Sequence, residues 1–404
     1  MKKYALIFLV AGLAACRSAD VSSTKQLMVW HVGSEEEAQI INRLAAESFT
    51  PASGVQVKCE SIAWAEAHSK YLTAMAGEVT PDVGTMALTW GTEFGSKGQM
   101  VNLPEAFPEE FPSQKALMFP AVQEATEYRG SAYATPFDMT LQVLYYRTDL
   151  VEPPKTWDEL TELLKKLNKE KKSMIIDWGA LEWIGFSPFL WQSGGSYYNE
   201  EKTKSALGAP EAVRALTFYG DLFRTYKVPQ AGQSLAQGLR SGEYPLGMGG
   251  SWLVNSIAVD APELQGKWAV ASLPAGPSGK PTAFIGGRSM GIFSNSKLKE
   301  EAWKFIKYLS EKETQKKIYE TVAASHNIYM PPNVQAWDIL PMEENLKNAL
   351  RAQALEAQAP PSILGWDDST RFIVEAIQKV ILQGEDAQKV LLQAAAAMDE
   401  RIEK

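Results

Sequence analysis

Five of the twelve tryptophans fall at loop-like positions, where a side chain can meet a ligand. Trp64 follows a strand-like run over 55–61, Trp90 follows one that opens at Pro81, and Trp183 lies in the loop after one over 173–178. Trp252 follows Gly250-Ser251, and Trp366 sits in a Gly-bearing loop ahead of a C-terminal helix. Acidic residues at loop-like positions accompany them: Glu35, Asp138, Asp177, Glu182, Asp367 and Asp368. Tryptophan offers a large flat apolar face with few rotamers, and carboxylates accept hydrogen bonds from hydroxyls. Together these types suit a polyhydroxylated ligand, gripped by its ring faces and its hydroxyl edges. Asp138 separates the strand-like runs 133–137 and 140–147 and is expected to accept ligand hydroxyl bonds. Glu35, Ser251, Gly287 and Arg288 complete the candidate set, with Arg288 able to hold an anionic group. Packing is the alternative for every tryptophan, and Trp157 and Trp303, on helices, read as core. Arg147 is open between a surface residue and an anion contact.

The same acids suit a second chemistry. A glycosidase needs two carboxyl groups roughly 5–10 Å apart in a sugar cleft, and spacing in sequence does not set that separation. Other chemistries lack their residues. There is no G-x-x-x-x-G-K-[ST], H-E-x-x-H, C-x-x-C or EF-hand loop. The three histidines, His31, His68 and His326, are far apart, which argues against a His-rich metal site and leaves a carboxylate-based one open. No cofactor is expected. Gly287-Arg288-Ser289-Met290-Gly291 matches a nucleophile elbow, but an elbow joins a strand directly to a helix. Here Ile292-Phe293 continue an apolar run and no Asp lies between Ser289 and His326, so the motif reads as a Gly-lined backbone crossing.

The elements that must hold these residues alternate. A strand-like run over 26–32 leads into Ser34-Glu35-Glu36-Glu37, a capping box, and a helical apolar face follows. Further strand, helix, strand alternation to Gly84 argues for an α/β sheet with parallel pairing. Residues 102–120 read as surface loop. Thr156-Trp157-Asp158-Glu159 and Ser310-Glu311-Lys312-Glu313 are two more capping boxes. After residue 293 the chain is almost wholly helical in pattern.

The composition is that of a globular protein: 404 residues, 45% hydrophobic, 22% charged, net charge −8. An acidic chain is a poor partner for nucleic acid. Residues 1–15 have the layout of a secretory signal: Lys2 and Lys3, then an apolar stretch too short to span a bilayer. They end in Leu13-Ala14-Ala15-Cys16, which resembles a bacterial lipobox. That resemblance implies cleavage before Cys16, lipidation of its thiol, and a tether over 16–25 at the extracytoplasmic side of the cell envelope. Cys59, then without a disulfide partner, reads as a buried core thiol. No later segment has the length of uninterrupted apolar sequence that a membrane span needs.

Several stretches, in order, resemble the sugar-binding, maltose-binding-protein-like family of extracellular solute-binding proteins that serve bacterial ABC importers. They are Leu27-Met28-Val29-Trp30-His31, Gly77-Glu78-Val79-Thr80-Pro81-Asp82-Val83, Ala132-Tyr133-Ala134-Thr135-Pro136-Phe137 and Leu144-Tyr145-Tyr146. Pro154-Lys155-Thr156-Trp157-Asp158-Glu159-Leu160 is the most specific. Gly194-Gly195, Gly249-Gly250-Ser251-Trp252, Gly286-Gly287 and Ala302-Trp303-Lys304-Phe305-Ile306 follow. Arg147 departs from the family's usual Asn. The resemblance implies a two-lobed α/β periplasmic-binding-protein fold, type II-like, with a ligand cleft between discontinuous lobes. Lobe one is expected over 24–136 plus 287–326, and lobe two over 137–286 plus 327–404. It further implies a monomer that closes on a mono- or oligosaccharide and delivers it to a permease driven by a separate ATPase. The position of Trp252 is one that often stacks on a sugar in that family. A polyol, or a phosphorylated ligand held by Arg288, is the variant reading.

Overall fold

A computed structural model describes residues 25–176, 182–230, 232–324 and 329–402. The signal segment, Cys16, Asp177 and His326 lie outside the described residues. Among the described residues no helix is long and apolar enough to cross a membrane.

Among the described residues, beside a small hairpin of Glu127–Tyr128 with Ser131–Ala132, eleven strands build two larger sheets: β1 (Gln26–Val32), β2 (Gln56–Ile62), β3 (Val83–Ala87), β4 (Thr135–Pro136), β5 (Thr140–Arg147), β6 (Met174–Ile176), β7 (Leu246–Gly250), β8 (Trp268–Ala271), β9 (Ala283–Gly286), β10 (Arg288–Ile292) and β11 (Ala357–Gln358). The first sheet runs β2-β1-β3-β10-β4, with β1 parallel to β2 and β3, and β10 antiparallel to β3 and β4. The second runs β11-β9-β5-β7-β6, with β8 also on β5. Each sheet has its own apolar core, so the molecule has two lobes. Leu27 and Val29 of β1 pack with Phe305 and Ile306 in one. Val143 and Tyr145 of β5 pack with Leu164, Phe186 and Ile377 in the other.

The helices form where apolar residues recur at helical spacing behind a cap. α1 (Glu35–Leu44) buries Ala38, Ile41 and Leu44. Its capping box is complete: Glu37 N–H donates to Ser34 Oγ at 3.2 Å, and Ser34 N–H to Glu37 Oε2 at 2.8 Å. α2 (Trp64–Ala76) and α3 (Trp90–Ser96) start directly after β2 and β3. α4 (Trp157–Lys169) is capped by Thr156, but Glu159 reaches back to Lys155 N–H rather than to the cap itself.

Two local expectations fail. Ser310 caps nothing: it ends α6 (Lys299–Ser310), and its hydroxyl donates to Ile306 O inside that helix. Residues 102–120 are not plain surface loop but hold two short helices, because Leu103, Phe107 and Phe111 are apolar enough to be drawn into the first core. Phe107 stacks on Trp303 at 4.8 Å, and Trp303 Nε1–H donates to Glu110 at 2.6 Å.

Three backbone segments join the lobes side by side. β4 runs into β5 through 137–139, β9 runs into β10 at Gly287, and Met330 bridges Met139. Gly287 has φ +138°, and a Cβ there would run into the Asp138 carbonyl oxygen, so only glycine lets the first two crossings approach this closely. Ser289 lies buried inside β10, paired with β3 and β4, with no helix behind it, so the elbow-like motif is a strand.

Candidate ligand cleft

The carboxyl ends of parallel strands are where open α/β sheets hold ligands, because the connecting loops and helix N-termini converge there. In the first lobe those ends carry Glu35, Trp64 and Trp90, each at the first residue of its helix. Glu35 is exposed and accepts Ser61 Oγ–H at 2.8 Å. Trp64 is 50% exposed and meets Trp90 edge-on, ring centres 6.2 Å apart. The helical periods add a partner to each tryptophan: His68 one turn past Trp64, and Glu93 one turn past Trp90. His68 Nε2 lies 2.8 Å from Glu93 Oε2, and its ring packs on Trp90 at 4.9 Å and Phe94 at 5.6 Å. Lys97 Nζ donates to Glu93 Oε1 at 2.9 Å.

The second lobe meets this corner through α7 (Trp366–Gln378) and the segment before it. Asp367 lies near the Trp90 indole, whose N–H favours its charged form. Thr92 and Ser362 share a buried hydroxyl–hydroxyl bond of 2.9 Å. Ser362 also lines a cavity of about 430 Å³ walled by Trp191, Tyr197, Tyr198 and Lys202. Although its side chain remains exposed, the surrounding protein and then the nearby Glu93 charge push the Asp367 carboxyl up. The Glu93 bond pushes His68 up against its burial. Burial would also raise Glu93, but the His68 and Lys97 bonds outweigh it and the group is lowered. Trp252, 39% exposed, follows β7 and lays its ring over the Cα of Gly250, where any side chain would collide with it.

At the crossings the chemistry is inward. Arg288 is 6% exposed and every nitrogen donates within the protein. Nε reaches Asp138 Oδ2 at 2.7 Å, Nη2 reaches Glu37 Oε1 at 2.8 Å, and Nη1 reaches Val32 O at 2.7 Å and His31 Nε2 at 3.0 Å. Arginine has no acceptor, so His31 accepts at Nε2 and is neutral, with Nδ1–H toward Thr85 Oγ1 at 3.2 Å. Asp138 Oδ1 also takes the Arg288 backbone N–H at 2.7 Å. Burial and then Arg288 push His31 down, while Glu37, raised by burial, is held below the usual carboxylate range by the charge and hydrogen bond of Arg288. Gly33 makes room: a Cβ there would meet the Arg288 guanidinium at 2.6 Å.

Both shifts have the same sign in stability. Below about pH 6.5 the unfolded chain takes up a proton that folded His31 refuses, and below about pH 4.5 the same holds for Glu37. Stability is therefore full above this range and falls on acidification. His68, shifted the other way, opposes the trend. A His31→Gln variant should accordingly lose less melting temperature than wild type between about pH 7 and pH 5. Parallel melting curves for the two proteins would contradict the neutral, buried His31.

Residues 33–316 match the family described as bacterial extracellular solute-binding protein. The chain belongs to that family. Among relatives of this solute-binding protein, a probable ABC transporter-binding protein of Deinococcus radiodurans is 30% identical over 359 residues, 81% of each chain. A maltotriose-binding protein of Pyrococcus abyssi is 27% identical over 304 residues, 73% of this chain and 64% of that one. The sugar-binding protein MalE of Xanthomonas citri superposes with a TM-score of 0.84 at 23% identity, covering 93% of this chain and 97% of that one. The likeness is one of fold: two lobes with a cleft between them.

Within the solute-binding protein, the residues singled out by sequence divide into two groups. Glu35, Trp64, Trp90 and Trp252 stand at strand ends with exposed or half-exposed side chains. Asp367 and Asp368 are also exposed, whereas Asp138, Ser251, Trp183, Arg288 and Trp366 are engaged inside the protein. Asp138 is filled by Arg288, and Arg288 has no free donor for an anion. Ser251 Oγ accepts Leu141 N–H at 3.2 Å and is fully buried. Trp183 is not in a loop but in α5 (Glu182–Gln192), packed edge-on against Phe284 and Trp366. Trp366 is 2% exposed. Arg147 forks onto Asp149 at 2.8 Å twice and caps Leu239 O, which answers its role without a ligand. Cys59 is buried and free, its thiol pushed up by desolvation. His68, Glu93, Thr92 and Ser362 were not singled out. The Trp64/His68 and Trp90/Glu93 spacings are the signal that points to the first two.

Proposed function

We propose that this solute-binding protein captures a carbohydrate between its lobes and hands it to a membrane permease driven by an ATPase. The observation that carries the reading is the Trp64–Trp90 pair, half-exposed at strand ends and set beside Glu93 and Asp367 from opposite lobes. Apolar ring faces would lie on the indoles and hydroxyl edges on the carboxylates. The maltotriose-binding relative supports the same ligand class. Contacts made to both lobes at once stabilise the closed form, which is how a bound solute drives closure. The occupancy of every Arg288 donor favours a neutral ligand over a phosphorylated one. In this proposal the chain works as a monomer, held to a membrane through a lipid on Cys16.

The test is melting temperature and tryptophan fluorescence of the full-length chain in detergent against a panel of sugars and polyols. A sugar present at 100 times Kd adds about 2.7 kcal/mol of stability. Trp90→Ala is expected to weaken that sugar about tenfold or more with little change in the unliganded melting temperature. Recovery of the sugar unchanged separates capture from glycosidase action. Silence across the panel, or a sugar returned cleaved, overturns the proposal.

A further inference from the structure

The geometry points to a divalent-cation site, formed by His68, Glu93 and Asp367, that ties the two lobes together. One ligand atom from each residue lies within 4.8 Å of the other two. Among the described residues no other group of three or more His, Cys, Asp or Glu side chains converges in this way. The site is split between lobes: His68 and Glu93 come from α2 and α3, and Asp367 from α7.

Two of the three ligands are already held in place by neighbours. The His68 ring is packed between Trp90 and Phe94. Lys97 takes Oε1 of Glu93 and leaves Oε2 facing His68. Such supporting contacts are what fix the orientation of metal ligands. The local charge also favours a cation. Glu93 has Lys97, whereas Asp367, its side chain exposed, sits beside Glu93 with Asp368 next to it.

The donor set chooses the ion. One imidazole nitrogen and two carboxylate oxygens suit zinc or a similar first-row ion, whereas calcium and magnesium prefer oxygen throughout. Donor atoms around a tetrahedral zinc, each about 2.1 Å from the ion, stand about 3.4 Å apart. Side-chain rotation and a slight approach of α7 would bring the present separations to that value. On binding, the ion takes the place of the His68–Glu93 hydrogen bond, and any Nε2 proton passes to solvent. Three protein ligands leave the fourth position to water or to a hydroxyl of a bound solute. Because the lobes must be together for all three ligands to bind, the ion favours the closed form whether or not a solute is present.

The experiment uses full-length chain in detergent, free of sugar, titrated with Co²⁺ and then Zn²⁺. Tetrahedral Co²⁺ should give visible ligand-field bands that Zn²⁺ abolishes, and Zn²⁺ should raise the melting temperature. His68→Ala and Asp367→Asn should each weaken Zn²⁺ at least about tenfold. Asp367→Asn should also remove the Zn²⁺-induced compaction seen by small-angle scattering. Absence of Co²⁺ bands and of a melting shift at millimolar metal overturns the site, using wild-type protein alone. Zn²⁺ binding by His68→Ala and Asp367→Asn equal to that of wild type overturns it as well. No sugar enters the assay, so failure here and failure of the carbohydrate proposal are independent results.

Discussion

Arg288→Met should lower folding stability by about 3–5 kcal/mol, read by urea unfolding followed by far-UV circular dichroism. The guanidinium is the common partner of two acids, Asp138 and Glu37, and it joins β10, the first crossing and the N-terminus of α1. Methionine fills the space but leaves Asp138, 5% exposed, as an unpaired buried charge. An uncompensated buried charge costs far more than the pair gains, because desolvation is no longer offset. Lysine should restore only part: an ammonium is a single point and cannot span two carboxylates, a carbonyl and His31 Nε2 at once. A loss under ~1 kcal/mol, the size seen for exposed pairs, would show that water reaches this network. The arginine would then not brace the crossings.

Trp366→Ala should cost about 3–5 kcal/mol of stability through the cavity it leaves. The indole is enclosed by Trp183 at 5.3 Å, Tyr197 at 5.0 Å and Tyr198 at 6.3 Å, between ring centres. Its neighbour Gly365, at φ +78°, has the Arg401 carbonyl 2.7 Å from where a Cβ would lie, so this corner cannot relax into the void easily. Trp366→Phe should recover much of the loss, since it keeps an aromatic filler. Trp90→Ala is the contrast, expected to act on the ligand and hardly on the fold. A Trp366→Ala protein that melts like wild type but no longer binds its solute would reverse the assignment and make Trp366 a ligand platform.

These two residues mark where sequence reasoning stopped. Residue type and sequence position mark both as ligand contacts, Arg288 at a predicted crossing and Trp366 in a predicted loop. Type and place do not say which way a side chain points. Trp366 is the first residue of a helix whose apolar period, carried on by Ile373 and Ile377, turns it inward. Trp183 suffers the same fate, because it lies within a helix and packs inward. Asp138 and Arg288 are 150 residues apart and meet only because two crossings run side by side.

Much was legible in local pattern. The order of strands, the Ser34 capping box, the buried Cys59 and the strand character of Ser289 all follow from hydrophobic period and turn chemistry. These are short-range effects: a cap or an alternating strand is decided within a few residues. The family is legible as well, since its motifs occur in order along the chain and residues 33–316 match it. The third capping box failed because Ser310 could satisfy its hydroxyl on Ile306 O without leaving the preceding helix.

The sequence by itself therefore determined the α/β alternation, the two-lobed solute-binding family and the strand ends at which a ligand site would be built. Only the tertiary structure decided which polar groups were already occupied. Asp138 and Arg288 were taken by each other, and His68, Glu93 and Asp367 were brought to one corner from three helices. The physical reason is that hydrogen bonds and desolvation act over a few ångströms of space, and the folded crossings, not sequence distance, set which charges come that close.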